Sequence, residues 1–246
     1  MLDGPRAALV TWARSDTAAA RTNSVRAANR RAWRRRAPRG RLMPNASILA
    51  RLGLFVRRDF LDAESCRSIR SEMAAADRAA AMIRPVGNPG GVLDQSTRRT
   101  GIADVSAATL ALVQARLRAS KSALEDHFRA TLTDWQRPQF YLYEEGDFFV
   151  AHQDRNDTDP TAPAWVRSRQ VSVSILLNDE RGGPDGQAYR GGALVFHGHR
   201  GDRRGTGFAI PLEPEEGMLI AFPSDWIHEV QPVTSGRRYS IVTWFS

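Results

Sequence analysis

Cysteine occurs once in this chain of 246 residues, at Cys66. That excludes an intramolecular disulfide framework and fits a reducing compartment such as the cytoplasm. Long apolar runs are missing as well. None approaches the roughly 20 residues that a bilayer span needs, so no membrane partner is expected. Lysine is nearly absent, with Lys121 standing against 34 arginines. A bias of that kind marks a GC-rich coding sequence, in which spurious upstream starts arise readily, and it makes Met43 an alternative start.

Acidic residues are scarce only at one end. Residues 1–42 hold 11 arginines but only Asp3 and Asp16, a net charge of +9, and the remaining residues sum to −1. The overall +8 and the pI near 10.7 therefore describe an N-terminal extension and not the body. The extension, with Arg30-Arg31-Ala32-Trp33-Arg34-Arg35-Arg36 at its centre, has no apolar period and reads as disordered or conditionally helical. Such a segment serves as a transit peptide or a nucleic-acid-binding arm, and nucleic acid is expected as a partner only through it.

From Met43 onward the pattern predicts one domain over 43–246, with helical support over 43–135 and a β core over 136–246. Leu52 to Val56 is a short strand signal. Asp62 caps a predicted helix from Ala63 to about Ala81, with Cys66, Ile69 and Met73 at helical spacing. Gly87 to Thr100 reads as a loop, and a second helix is predicted from about Ser106 to Leu132. Beyond Trp135 the period turns to alternation. Strands are predicted at Gln139 to Tyr143, Val171 to Leu177, Ala193 to Phe196, Met218 to Phe222 and Arg238 to Phe245. Helices first and short strands afterwards indicate an α+β chain whose C-terminal half is a β-sandwich or barrel.

The chemistry concentrates in this half. His152-Gln153-Asp154 places an imidazole and a carboxylate two residues apart, so an extended backbone aims both at one point. With a second imidazole, His228, the set is two neutral histidines and one carboxylate, which hold Fe(II) on one face and leave the opposite positions open. Zn(II) accepts the same donors, so a metal-dependent hydrolase is a competing reading. Arg238 argues for an anionic co-substrate. A strand beginning Arg238-Tyr239-Ser240 puts a guanidinium and a hydroxyl on one face, above Val242 and Trp244. His127, His197 and His199 carry no expected role.

Taken together, Tyr143-Glu144-Glu145-Gly146, His152-Gln153-Asp154, Val173 to Asn178, Gly191 to Phe196, and His228 to Val233 followed by Gly236, Arg238 and Trp244 resemble the Fe(II)/2-oxoglutarate-dependent dioxygenases, in their prolyl-4-hydroxylase-like branch. The resemblance covers roughly residues 54 to 246. It implies a double-stranded β-helix, a cupin-like jelly-roll barrel buttressed by the N-terminal helices. It implies a metal site of His152, Asp154 and His228, with Fe(II), 2-oxoglutarate and O2 as cofactor and co-substrates and ascorbate as reductant. It further implies that Arg238 pairs with the distal carboxylate of 2-oxoglutarate and that Tyr143 lines that pocket. Where some relatives add a second tyrosine, this chain has Leu176, so another donor must assist Arg238: Ser240 on alternation grounds, with Ser172 as runner-up.

The implied activity is hydroxylation of an unactivated C–H bond, with release of succinate and CO2. Retention of Asp154 favours hydroxylation over halogenation. The prime substrate is expected to be a prolyl or other residue in a peptide or protein, with a free amino acid or natural-product intermediate as the alternative. It is recognised by residues 155–169, 180–190 and 88–100, which include Arg98 and Arg99. A noncatalytic metal-binding barrel with a basic tail is the third reading, and it gives no reason for a complete ligand set.

Overall fold

Local sequence sets both long helices of the computed structural model, which describes residues 52–81, 93–157, 159–181, 186–199 and 209–246. All of these lie in the unit that runs from Pro44 to Ser246. Helix α1 (Ala63–Ala75) begins where the Asp62 carboxylate accepts the Ser65 amide at 2.8 Å, and its Cys66, Ile69 and Met73 are buried on one side. Helix α2 (Ala107–Phe128) is capped by Ser106 accepting from the Thr109 amide, and it stops at Arg129, whose left-handed backbone (φ 51°) ends the ladder. Both helices end earlier than the pattern predicts. After α1 the chain turns extended at Ala76, and Arg78–Ala80 (β2) pair with Gly101–Ala103 (β4) although their alanines favour helix. Pairing along a sheet edge overrides that propensity.

The remaining strands are β1 (Phe55–Arg57), β3 (Arg98–Arg99), β5 (Gln139–Tyr143), β6 (Phe148–His152), β7 (Val171–Leu176), β8 (Arg190–Gly191), β9 (Leu194–His199), β10 (Ile210–Pro211), β11 (Leu219–Pro223), β12 (Trp226–Val230), β13 (Val233–Ser235) and β14 (Arg238–Phe245), with a one-turn helix α3 at Ala164–Arg167. They form a seven-stranded sheet β1-β11-β7-β14-β5-β4-β2, a five-stranded sheet β10-β9-β12-β6-β3 and the pair β13-β8. The pairings between these strands are antiparallel. Among the described residues no sheet closes on itself. Residues 43–135 thus contribute strands to both large sheets as well as helices.

Alternation on the central strands sorts side chains into two cores. Phe140, Leu142, Val173, Ile175, Tyr239, Ile241 and Phe245 pack with Cys66, Ile69, Met73, Val113, Leu117 and Leu124 of the helices. Their neighbours Tyr141, Tyr143, Leu176, Ile220 and Phe222 face the other way and meet Leu194, Phe196 and Val230 of the five-stranded sheet. The seven-stranded sheet is therefore the middle layer. Fully burying each Leu, Ile or Phe contributes roughly 1.5–3 kcal/mol. One turn depends on glycine: Gly217 has φ +78°, and a Cβ there would lie 2.0 Å from the Leu61 carbonyl oxygen that its own strand lead-in packs against. No helix among the described residues is long and apolar enough to cross a membrane. The Arg-rich segment 1–42 and the start of the 88–100 loop lie outside the described residues.

Candidate metal centre and co-substrate pocket

His152 is the last residue of β6 and pairs directly with His228 of β12. The register of β12 shifts on both sides of His228, against β9 before it and against β6 after it. A bulge of this kind re-aims a side chain next to a functional site. Asp154 is not on the strand with His152. It lies two residues past the end of β6, in a loop whose Asp154 and Arg155 amides both donate to the Ser224 carbonyl, at 3.0 and 2.8 Å. The turn that leads into β12 therefore anchors the carboxylate between the two imidazoles.

The donor atoms of His152, Asp154 and His228 all lie within 4.8 Å of one another. One Asp154 oxygen is 3.5 Å from His152 Nε2 and the other 3.6 Å from His228 Nε2. Each ring's Nδ1 sits beside the carbonyl two residues back, Val150 O at 2.8 Å and Trp226 O at 3.0 Å. Donation from Nδ1 to those carbonyls leaves both Nε2 lone pairs facing the carboxylate, the tautomer a metal ligand requires. Burial works against charge on Asp154, but the adjacent His228 and His152 imidazoles and the Arg169 guanidinium outweigh it and hold the carboxyl well below the usual range. Burial, with His152 nearby, pushes the His228 imidazole down to about 4. Near neutral pH the carboxylate is ionised and His228 is neutral. This donor chemistry fits one divalent metal ion without rearrangement.

All six sequence-derived site residues, Tyr143, His152, Asp154, His228, Arg238 and Ser240, line one cavity of about 510 Å³ between the two large sheets. Arg238 is 2% exposed, and its Nη1 donates to Ser240 Oγ at 3.0 Å, as the alternation predicts. The guanidinium carbon lies 5.2 Å from the centre of the Tyr143 ring, and Arg238 Nε is buried without a hydrogen-bond partner. Val242 and Trp244 line the same cavity. Gly192 (φ +60°) lets the backbone pass close to this arginine, since a Cβ there would lie 3.0 Å from Arg238 Cδ. Leu176 is cross-strand from Ser240.

Ser172, the alternative hydroxyl, is spent on Ser224 Oγ at 2.9 Å and does not line the cavity. Trp165, Val166 and Arg169 of the expected recognition loop do line it, as do Thr97 and Arg98, whereas Arg99 points to solvent. Three contacts have no counterpart in the sequence reading, although Arg169 and Tyr189 fall within the expected recognition segments. Arg169 donates to the Asp154 carbonyl at 3.1 Å and to Gln136 at 2.7 Å. Phe149 stacks on His152 with ring centres 3.5 Å apart. Tyr189 bears on Arg238, and burial pushes its hydroxyl above the usual phenol range. Phe149 is visible in the sequence only as an aromatic three residues before the histidine.

The sequence profile of the 2OG-Fe(II) oxygenase superfamily matches residues 138–246. A PKHD-type hydroxylase of Shewanella oneidensis is 33% identical over 107 residues, 44% of this chain and 41% of the relative. One from Alteromonas mediterranea is 29% identical over 108 residues, 44% of this chain and 42% of its own length. The chain thus aligns with about two fifths of the length of these curated relatives. Among solved structures, a Pseudomonas putida prolyl-4-hydroxylase superposes with a TM-score of 0.56 at 24% identity, over 81% of this chain and 95% of that one. A Trichoplax adhaerens prolyl hydroxylase bound to a hypoxia-inducible-factor peptide gives 0.57 at 18% identity, over 81% and 86%. At these identities the likeness is one of fold. The matched profile runs from β5 to the C-terminus and takes in all three converging donors together with Arg238, so this half of the chain is similar to the 2OG-Fe(II) oxygenase superfamily, and the fold is prolyl-4-hydroxylase-like.

Proposed function

We propose that this protein is a 2-oxoglutarate-dependent dioxygenase that hydroxylates an unactivated C–H bond, releasing succinate and CO2. The observation that carries the reading is the convergence of His152, Asp154 and His228 in the same cavity as the buried Arg238–Ser240 pair. A hydrolytic metal site needs no buried arginine behind it. The two large antiparallel sheets, facing each other across this cavity, are taken as the two faces of a jelly roll.

In this reading His152 Nε2, His228 Nε2 and the Asp154 carboxylate hold Fe(II), which with 2-oxoglutarate and O2 supplies the oxidising chemistry. Arg238 and the Ser240 hydroxyl receive the distal carboxylate of 2-oxoglutarate, the guanidinium by charge and the hydroxyl by the proton it does not spend on Arg238. Tyr143 walls that end of the pocket. Arg169 fixes the backbone of Asp154 and so holds its carboxylate in place. Phe149 against His152 and Phe222 against His228 keep water off the imidazole faces, at ring separations of 3.5 and 4.7 Å. The prime substrate is a prolyl or other residue in a peptide or protein, or a free amino acid or related small molecule. It enters past Trp165, which is exposed at the rim. Succinate release that requires Fe(II), 2-oxoglutarate and O2 together, and that disappears in Asp154→Ala, is the expected result. Turnover retained by Asp154→Ala contradicts the assignment.

A further inference from the structure

Among the described residues three arginines line the cavity, and the proposed function employs two of them. Arg238 takes the co-substrate and Arg169 is bonded to the Asp154 carbonyl and to Gln136. The third, Arg98, has no task there. It sits on β3, paired opposite Phe149 of β6, so alternation sends Arg98 and Arg99 to opposite faces. Arg99 lies half-exposed near Asp147, whereas Arg98 is turned inward and is only 9% exposed.

Its surroundings are aromatic. The guanidinium carbon lies 4.3 Å from the Tyr141 ring centre and 4.5 Å from that of Phe149. The Tyr141 and Tyr143 hydroxyls bear on it, yet its Nε is buried with no hydrogen-bond partner. Among the described residues no carboxylate pairs with it. Aromatic faces offset part of the cost of desolvating a guanidinium but supply no counter-charge. Arginine is rarely buried unless an anion accompanies it. Phe149 also stacks on His152, so this orphan cation lies one ring away from the candidate metal ligands.

We propose that Arg98 is the recognition residue for a carboxylate carried by the prime substrate. The proposal rests on the reading of Arg238 as the 2-oxoglutarate site. In that reading one carboxylate of 2-oxoglutarate goes to the metal and the other to Arg238 and Ser240, so Arg98 is left for a third. A single guanidinium matches a monoanion, whereas a phosphate dianion calls for more than one cation. The planar fork of arginine between two rings is also suited to a flat carboxylate. Such a group belongs either to a free carboxylic or amino acid or to an acidic residue beside the oxidised position of a peptide.

The test is calorimetric titration of the protein loaded anaerobically with Fe(II) and 2-oxoglutarate. The probes are the monocarboxylates from acetate to hexanoate, the free protein amino acids, and the blocked dipeptides Ac-Pro-Glu-NH2 and Ac-Glu-Pro-NH2, each against its carboxamide counterpart. At least one acid is expected to bind about tenfold or more tightly than its amide, and Arg98→Gln is expected to abolish that preference. Arg98→Lys retains part of it, Arg99→Gln leaves it unchanged, and none of the three alters the affinity for 2-oxoglutarate. Preference for the free acids identifies a small substrate, and preference for the acidic dipeptides identifies a peptide. The proposal is overturned if no acid binds in preference to its amide, if the preference survives Arg98→Gln, or if Arg98→Gln weakens 2-oxoglutarate itself. Should Arg98→Gln not fold, the wild-type preference and the Arg98→Lys titration decide. Loss of 2-oxoglutarate binding in Arg98→Gln combined with its retention in Arg238→Gln would instead show that the underlying reading is wrong.

Discussion

Replacing Ser240 by alanine removes one buried hydroxyl and little else, which makes it a sharp probe of the co-substrate pocket. Ser240 is 1% exposed, and its oxygen accepts from Arg238 Nη1 at 3.0 Å. Its own proton is free to donate into the cavity, toward the anion that Arg238 attracts. Losing a buried hydrogen bond to a charged group costs roughly 1–3 kcal/mol, which is about 5- to 150-fold in the dissociation constant for 2-oxoglutarate. The assay is anaerobic calorimetry on the Fe(II)-loaded protein, with Ser172→Ala as the control, because that hydroxyl is bonded to Ser224 outside the cavity. Ser172→Ala should bind 2-oxoglutarate as the wild type does. An unchanged affinity in a folded Ser240→Ala variant would refute the role given to Ser240.

Two further outcomes follow from burial. Because the His228 imidazole is pushed down to about 4 in the folded protein, the unfolded chain takes up a proton below its ordinary value of 6.5 that the folded chain refuses. The stability of the metal-free protein should therefore be intact above pH 6.5 and fall as pH drops toward 4, by up to roughly 3 kcal/mol, in chemical denaturation run across that window. The slope should flatten in His228→Asn, and a pH-independent midpoint in the wild type would contradict the burial argument. Cys66 is 0% exposed and burial pushes its thiol up to about 12, so iodoacetamide at pH 8 should leave it unmodified until the protein is unfolded by urea, as mass spectrometry would record.

Much of the site was legible because it rests on period-2 strands. Gln139–Tyr143 and Arg238–Phe245 occupy the predicted bounds, and alternation from Arg238 puts Ser240 on its face, where the two side chains hydrogen-bond. What escaped lacked a period. The bulges around His228 break the alternation of β12, so Trp226–Val230 is absent from the predicted strands. Arg78–Ala80 are helix-forming residues recruited by the edge of a sheet, a decision taken by β4 and not by their own sequence. Arg98 stands on a two-residue strand inside a Gly/Pro-rich stretch, where direction comes only from pairing with β6. Asp154 meets the two imidazoles because the turn at Ser224 holds its backbone, which no periodicity in the sequence signals.

The central claim is that His152, Asp154 and His228 hold an iron to which 2-oxoglutarate chelates, with Arg238 gripping its far end. Adding Fe(II) and then 2-oxoglutarate to the metal-free protein under anaerobic conditions tests this directly. The account predicts the weak visible charge-transfer band of a keto-acid chelate in the wild type and its loss in His228→Ala. Absence of the band in wild-type protein that has demonstrably bound Fe(II), or its persistence in His228→Ala, would contradict the account.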